Sequence, residues 1–384
     1  MAGKQIVKKI PFSEIRDDLT KAIDVDDSAG RSVPINMNFV EEGFLIKDTG
    51  SIPFGSVPDS LVHSPFLFKK KNGTSYLIRA KDTKLQQYSY ADREWYDISN
   101  SPTFTADAQF GYKVYNDDLY FGNAVESLYK WTGTAFTEYP SAPKGNILEE
   151  YQDRLWIAGV TSEPLTTYYS NAGDFTTYTG TDIVKLIGTD YVVGLMNYYG
   201  TLLIFKQNTI WKVTFVYEQD VLLFVPKPEI QSGTYGACSR KAMCWVENDI
   251  WFFTGTEVRA IGYKDQQIGI LGINKSVLSE HIKNTLKDVS VDNYANVFTF
   301  YENRRYYIAV PLEGTTNDTM FVCHTLYGNS WTKYTERDKS RAGDAVIVDH
   351  VIYTSNQSSP YGIIKWDVTA ADAADQNSYL TTES

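Results

Sequence analysis

The chain is poor in the side chains that carry out most enzymatic work. Of 384 residues only four are histidine (His63, His281, His324 and His350), and none lies within five residues of another. Local spacing that would hold a metal ion is therefore missing. The three cysteines, Cys238, Cys244 and Cys323, are an odd, sparse set without metal-type spacing, and they read as small buried apolar residues. HExxH, GxSxG, P-loop and GxGxxG signatures are all absent. No apolar run approaches the roughly 18 residues of a membrane span. The opening MAGKQIVKKIPFSEIRDD has no apolar stretch of the secretory kind, so synthesis in a cytoplasm is expected. An excess of positive charge is lacking too. The net charge is −11, which argues against gripping free nucleic acid through its phosphates. It leaves open a surface past which DNA slides without sticking. With 13 Pro and 26 Gly the chain is neither collagen-like nor of low complexity.

What the chain has is aromatic residues: 28 Tyr, 19 Phe and 8 Trp, which favour half-buried pleated surfaces and so β structure. A short apolar strand led by polar turn residues recurs seven times, as TSYLIRA (74–80), DDLYFGN (117–123), DRLWIAG (153–159), GTLLIFK (200–206), NDIWFFT (248–254), RRYYIAV (304–310) and DHVIYTS (349–355). Most copies are followed by a second strand and an aromatic-flanked turn rich in Asp, Asn and Gly, residues that suit positive φ. Strands such as LWIA, LLIF and IWFF are apolar without alternation, which implies cover on both faces. Seven units of this size predict an all-β fold, a β-propeller of about seven blades, in which these strands are the innermost of each blade. A sandwich would show alternation, and a solenoid more even steps. YYSNAGDFTTY (168–178) then becomes the outer hairpin of the third repeat, with Asn171, Gly173 and Asp174 as turn formers and Tyr169 and Tyr178 as cross-strand aromatics.

The flanks differ. Ile15, Leu19 and Ile23 recur every fourth residue behind Ser13, which predicts a short helical arm with one apolar stripe. That stripe is the candidate contact for a neighbouring subunit or partner. Residues 36–50 read as a hairpin that supplies the strand closing the ring. Residues 276–286 read as a second short helix, inserted between the fifth and sixth repeats. The division is an arm over 1–34, a propeller over 35–370 and a polar tail over 371–384, mobile at its end.

Candidate chemistry does not assemble. Neighbouring acids such as Asp117–Asp118 and Glu149–Glu150 point to opposite faces of a strand. DVDDSAGRSVPI (24–35) resembles a calcium loop only in Asp24, Asp26 and Ser28. Ala29 stands where the turn needs Gly, and Ile35 where a bidentate Glu belongs. SNAGDFTTY differs from a sialidase Asp-box, with Ala172 in place of the Asp and Asp174 in place of the Gly. Lys69–Lys71 before Asn72-Gly73 is a solvated turn. His281, beside Glu280, is expected to face solvent. No catalytic residue, metal or cofactor is expected.

Tyr169-Ser170-Asn171-Ala172-Gly173-Asp174, followed by GTLLIFKQNTIW (200–211), resembles the β-propeller virion proteins of tailed bacteriophages, namely tail nozzle (tubular) and packaged-DNA-stabilisation proteins. Ala-Pro-Lys-Gly (142–145) and FVEEGFLIKDTG (39–50) also fit. The resemblance runs from about residue 35 to 370. Phe175 stands where that family usually has Pro, and an end at Ser384 suggests a smaller member. The resemblance implies a non-enzymatic protein of the neck or tail of a virion. It implies a homo-oligomeric ring, with a hexamer expected, seated on a portal or adaptor and other tail proteins. Genomic DNA would pass without sequence-specific binding, and no membrane is involved. A propeller adhesin gripping host glycans through Tyr and Trp is the alternative.

Overall fold

The computed structural model describes residues 32–35, 37–41, 44–47, 50–98, 100–180, 182–218, 221–228, 235–265, 270–273, 277–312, 319–325, 330–334, 342–356, 361–368 and 379–382. They form a seven-bladed β-propeller, each blade a four-stranded antiparallel core sheet. The first strands of blades 1 to 7 are Val62–Lys69, Gly111–Tyr115, Ile147–Tyr151, Val192–Tyr198, Met243–Val246, Phe298–Glu302 and Ala342–Val348. First strands of adjacent blades approach one another around most of the ring, so they line the axis.

All seven recurring apolar strands are present, but as the second strand of each blade: Ser75–Lys81, Asp118–Gly122, Arg154–Ala158, Thr201–Lys206, Asp249–Phe253, Arg305–Val310 and Val351–Asn356. The expectation that they are innermost is corrected. A second strand has a hydrogen-bonded neighbour on each edge and a neighbouring blade on each face, so it has no wet side. The first strand borders the axis and tolerates polar residues, as in ILEEY (147–151).

The core follows from this geometry. Among the described residues there are seven apolar clusters, one at each blade–blade junction. Alternate residues of one strand serve opposite junctions. Leu202 and Ile204 face blade 3, whereas Leu203 and Phe205 face blade 5. Both sets are fully buried, which is why the strand reads as a continuous apolar run. Cys238 and Cys323 lie buried in the cluster between blades 5 and 6, with Cys244 packed against it, and none of the three forms a disulfide. Burial pushes the Cys244 thiol up to about 12.

Blades 2 to 7 join their first two strands by two-residue turns. The φ values are positive at Asn116 and Asp117, Gln152 and Asp153, Tyr199 and Gly200, Glu247, Asn303 and Arg304, and Asp349 and His350. Such turns match strand twist, but Gln, Tyr, Glu and Arg occupy this region only at a cost of about 1 kcal/mol each. A belt of junction bonds offsets it. Lys71 N donates to Asp117 Oδ1 at 2.8 Å and Asn197 Nδ2 to Glu150 O at 3.1 Å. Tyr198 Oη donates to Asn248 O at 2.8 Å and Tyr301 Oη to Glu247 Oε1 at 3.1 Å. Asn303 Nδ2 donates to His350 O at 3.4 Å, Lys69 Nζ meets Asp349 Oδ1 at 3.5 Å, and Tyr115 Oη donates to Asp153. Every junction is thus tied at this face.

The ring is closed by Gly50–Pro53, the fourth strand of blade 7, which pairs with Gly362–Val368. The expected hairpin is there as Met37–Glu41 and Phe44–Lys47, but its strands pair with each other, and the residues just after them close the ring. Blade 6 has two further strands. Ser32–Ile35 runs parallel to Ser330–Tyr334 at a single register point, and Tyr379–Thr382 lies antiparallel to Ser32–Ile35. Residues assigned above to arm and tail therefore join a sheet. The expected second short helix lies between blades 5 and 6 as a 3-10 turn, Glu280–Ile282, running into a one-turn α-helix, Lys283–Leu286, with Ile282 and Leu286 buried; a further 3-10 turn, Val291–Asn296, follows. His281 is half-buried there, not solvent-facing.

YYSNAGDFTTY is the third strand's end and the connection to the fourth. Gly173 has φ +73°, and its N–H donates to Asp153 O at 2.7 Å. Tyr169 and Tyr178 do not face each other. Tyr169 pairs with Trp156, ring centroids 4.8 Å apart, and Tyr178 donates to Phe175 O at 3.2 Å. Phe175 crosses into blade 2, stacked on Tyr115 at 3.8 Å with its ring 1% exposed.

Phe175→Ala should cost about 3 kcal/mol through the cavity left at this junction, read as a lower urea midpoint with an unchanged slope. His324, in the third strand of blade 6, is buried, and its Nε2 sits 3.0 Å from Thr332 Oγ1. Burial, aided by Arg305, pulls its pKa down from 6.5 to about 3. The unfolded chain takes up this proton below about 6.5, the folded chain not until about 3. Stability is thus full above pH 6.5 and falls as pH drops through that window, by about 2 kcal/mol at pH 5. His324→Gln should flatten the dependence of Tm on pH between 7 and 5.

Candidate functional site

The polar groups that converge do so on the propeller axis, at the face where first strands begin. The segment after the fourth strand of blade 4 delivers Arg240 and Lys241 there, directly ahead of Met243–Val246. Lys241 Nζ lies 2.7 Å from Asp344 Oδ2 of blade 7 and donates to Gln109 Oε1, ahead of blade 2, at 2.7 Å. It also reaches Gly343 O at 3.3 Å. Blades 2 and 7 are not ring neighbours of blade 5, so this side chain spans the axis. Arg240 Nη1 donates to Asn146 O, ahead of blade 3, at 2.6 Å.

Blade 1 supplies the other half. A bulge between His63 and Phe66 puts Ser64 at φ 50°. Strained, non-glycine backbone of this kind persists only where its surroundings hold it. Here Ser64 N donates to Asp344 Oδ2 at 3.0 Å, Ser64 Oγ accepts from Phe110 N at 3.1 Å, and Ser64 O accepts from Tyr112 Oη at 3.1 Å. His63 Nδ1 sits 3.0 Å from Ser64 Oγ. Gly111 is required: a Cβ there would meet Asn146 O at 2.1 Å, so blades 2 and 3 approach this closely only with glycine.

The electrostatics follow from burial. Desolvation lowers the Lys241 ammonium pKa, and Asp344 opposes that. Desolvation also lowers Arg240, again against Asp344. His63 is shifted down by burial, so its imidazole is neutral at pH 7, and burial raises Tyr112. Two cations and one carboxylate therefore share a partly dry site beside a 270 Å³ cavity.

Sequence reasoning did not point here. Ile15, Leu19 and Ile23, the candidate contact residues, lie outside the described residues. Asn171, Gly173 and Asp174 shape a turn away from the axis, and Lys69–Lys71 form a turn at the opposite face. Arg240 and Lys241 were bracketed by Cys238 and Cys244 in plain view. Their partners are Gln109, Asn146, Ser64 and Asp344, each far away in sequence, and no short motif joins them. The usable signal was positional: all lie at or just before the inner strand of a blade. No group of His, Cys, Asp and Glu suited to a metal occurs among the described residues.

No protein-family model and no curated protein sequence matches the chain. Solved structures are similar in fold. YCF48 bound to D1 peptide aligns over 86% of this chain and 98% of its own, at 12% identity and TM-score 0.49. The extracellular domain of BT4673 from B. thetaiotaomicron aligns over 83% of this chain and 40% of its own, at 9% identity and TM-score 0.51. A chain of the Mitotic Checkpoint Complex covers 86% and 98%, at 9% identity and TM-score 0.49. At such identities the likeness concerns the fold alone.

Asp344→Asn should strand the Lys241 charge and cost about 2 kcal/mol, less than a fully buried pair because both side chains keep some solvent. Combining it with Lys241→Met should recover most of that loss in urea unfolding.

Proposed function

We propose that the chain is a non-enzymatic structural protein of a tailed-bacteriophage particle, set at the head–tail junction or tail nozzle. There it extends the DNA channel and helps retain the packaged genome. The resemblance of residues 169–174 and 199–211 to that group supports the reading. The observation that carries it is the uneven rim. Among the described residues blade 6 alone is widened, by Ser32–Ile35 and Tyr379–Thr382, and no described strand pairs with the outer edge of Tyr379–Thr382. A strand edge on one blade is a directional lateral surface, suited to adding the next copy in a ring. The bridging of the axis by Lys241 fits the same picture, because DNA would then pass between copies and not through a propeller. A net charge of −11 per copy gives a wall that repels the phosphate backbone.

Tyr199 (58% exposed) and Trp245 (37% exposed), packed edge to face at 5.6 Å, favour a second reading, a glycan-binding adhesin. Electron microscopy of the purified chain with its portal or adaptor should show a closed ring of about six copies on that partner. A protein that stays monomeric under both conditions, yet binds a glycan array in a way lost in Trp245→Ala, would replace the nozzle with the adhesin.

A further inference from the structure

The axial cavity holds a cation, Arg240, that has no ion-pair partner of its own among the described residues. Asp344 is already engaged by Lys241 at 2.7 Å and by Ser64 N at 3.0 Å. Arg240 lines the same cavity, yet among the described residues it forms no ion pair and makes one hydrogen bond, to Asn146 O. A guanidinium has five N–H donors in a planar fork, so most of its donor capacity is unspent. Among the described residues the acid that acts on it is Asp344, which is shared with Lys241, so two cations face one carboxylate there.

The remaining wall is of a different character. Ile147, Leu148, Leu195, Met196 and Met243 line the cavity together with the cations. The volume, 270 Å³, is near the lower end of small-molecule sites. A compact anion such as inorganic phosphate would satisfy the fork and leave the apolar wall wet. An uncharged apolar molecule would do the reverse. The occupant that answers both is a monoanion with a planar charged head and a short apolar body.

We propose that this cavity is a binding site for an organic carboxylate, its head held by the Arg240 fork and its hydrocarbon body lying on the Ile147, Leu195 and Met243 wall. The head receives paired N–H bonds from the guanidinium, the geometry in which Arg surpasses Lys. Gly111 keeps backbone close to the guanidinium, since a Cβ at that position would lie 3.5 Å from Arg240 Nη1. The site is built from first-strand ends of several blades, so occupancy would brace the axis whether the protein serves a virion or a cell surface.

Calorimetric titration of the full chain at pH 7 with hexanoate, hexan-1-ol and inorganic phosphate tests this directly. Hexanoate should bind at least about tenfold more tightly than either comparison probe, and Arg240→Gln should weaken hexanoate about tenfold while leaving hexan-1-ol unchanged. Equal binding of acid and alcohol, phosphate binding as tight as hexanoate, no hexanoate binding, or an Arg240→Gln protein that folds and still binds hexanoate would each overturn the proposal. The comparison of probes on the unaltered protein decides the matter even if Arg240→Gln fails to fold.

Discussion

Face-to-face burial between neighbouring sheets is the interaction on which the molecule rests. No blade has a core of its own. Each contributes alternate side chains to two junctions, and the seven junction clusters are the hydrophobic core. Removing one blade would expose two apolar faces at once, so the ring must close to be stable. Closure also disposes of the edge problem near the axis, where first strands lie against one another and offer no free ladder to a foreign strand.

The polar features serve the same constraint from the two faces. At the turn face, short bonds such as Tyr198 to Asn248 tie each hairpin to the next and hold backbone at φ values its residues would otherwise avoid. At the other face, Lys241 reaches over the axis instead of around it. The first arrangement sets the spacing of adjacent blades, and the second couples blades that are not ring neighbours. Phe175 shows how a turn can take part: it leaves its own blade and fills a gap in the one before.

Much of this was legible in the residues. The sevenfold repeat shows because second strands are shielded on both faces and so lose the alternation that would otherwise blur them. The turn at Asn171–Asp174 shows because only a few residue types accept its backbone. The place of those strands within the blade was not legible, because a strand's apolar run records cover on its faces and not its distance from the axis. The axial network was hidden for a different reason. Ser64, Gln109, Arg240 and Asp344 are ordinary polar residues one at a time, and they meet only after all the blades are in place. The closing strand was placed a few residues early, since FVEEGFLIKDTG pairs within itself before the chain reaches the ring.

Gly50 lies opposite Val368, and this pairing has a consequence for how the protein is made. The strand that completes the seventh blade leaves the ribosome before the first blade does and must wait, unpaired, for nearly all the rest. Until residues 362–368 emerge, the nascent chain is an open arc with one unshielded apolar flank at either extremity. Such long-range pairing is slow to form. The interval before it snaps shut is when the growing polypeptide is most exposed to adhesion with its siblings, and a chaperone that covers the two flanks would act in that interval and at no later time.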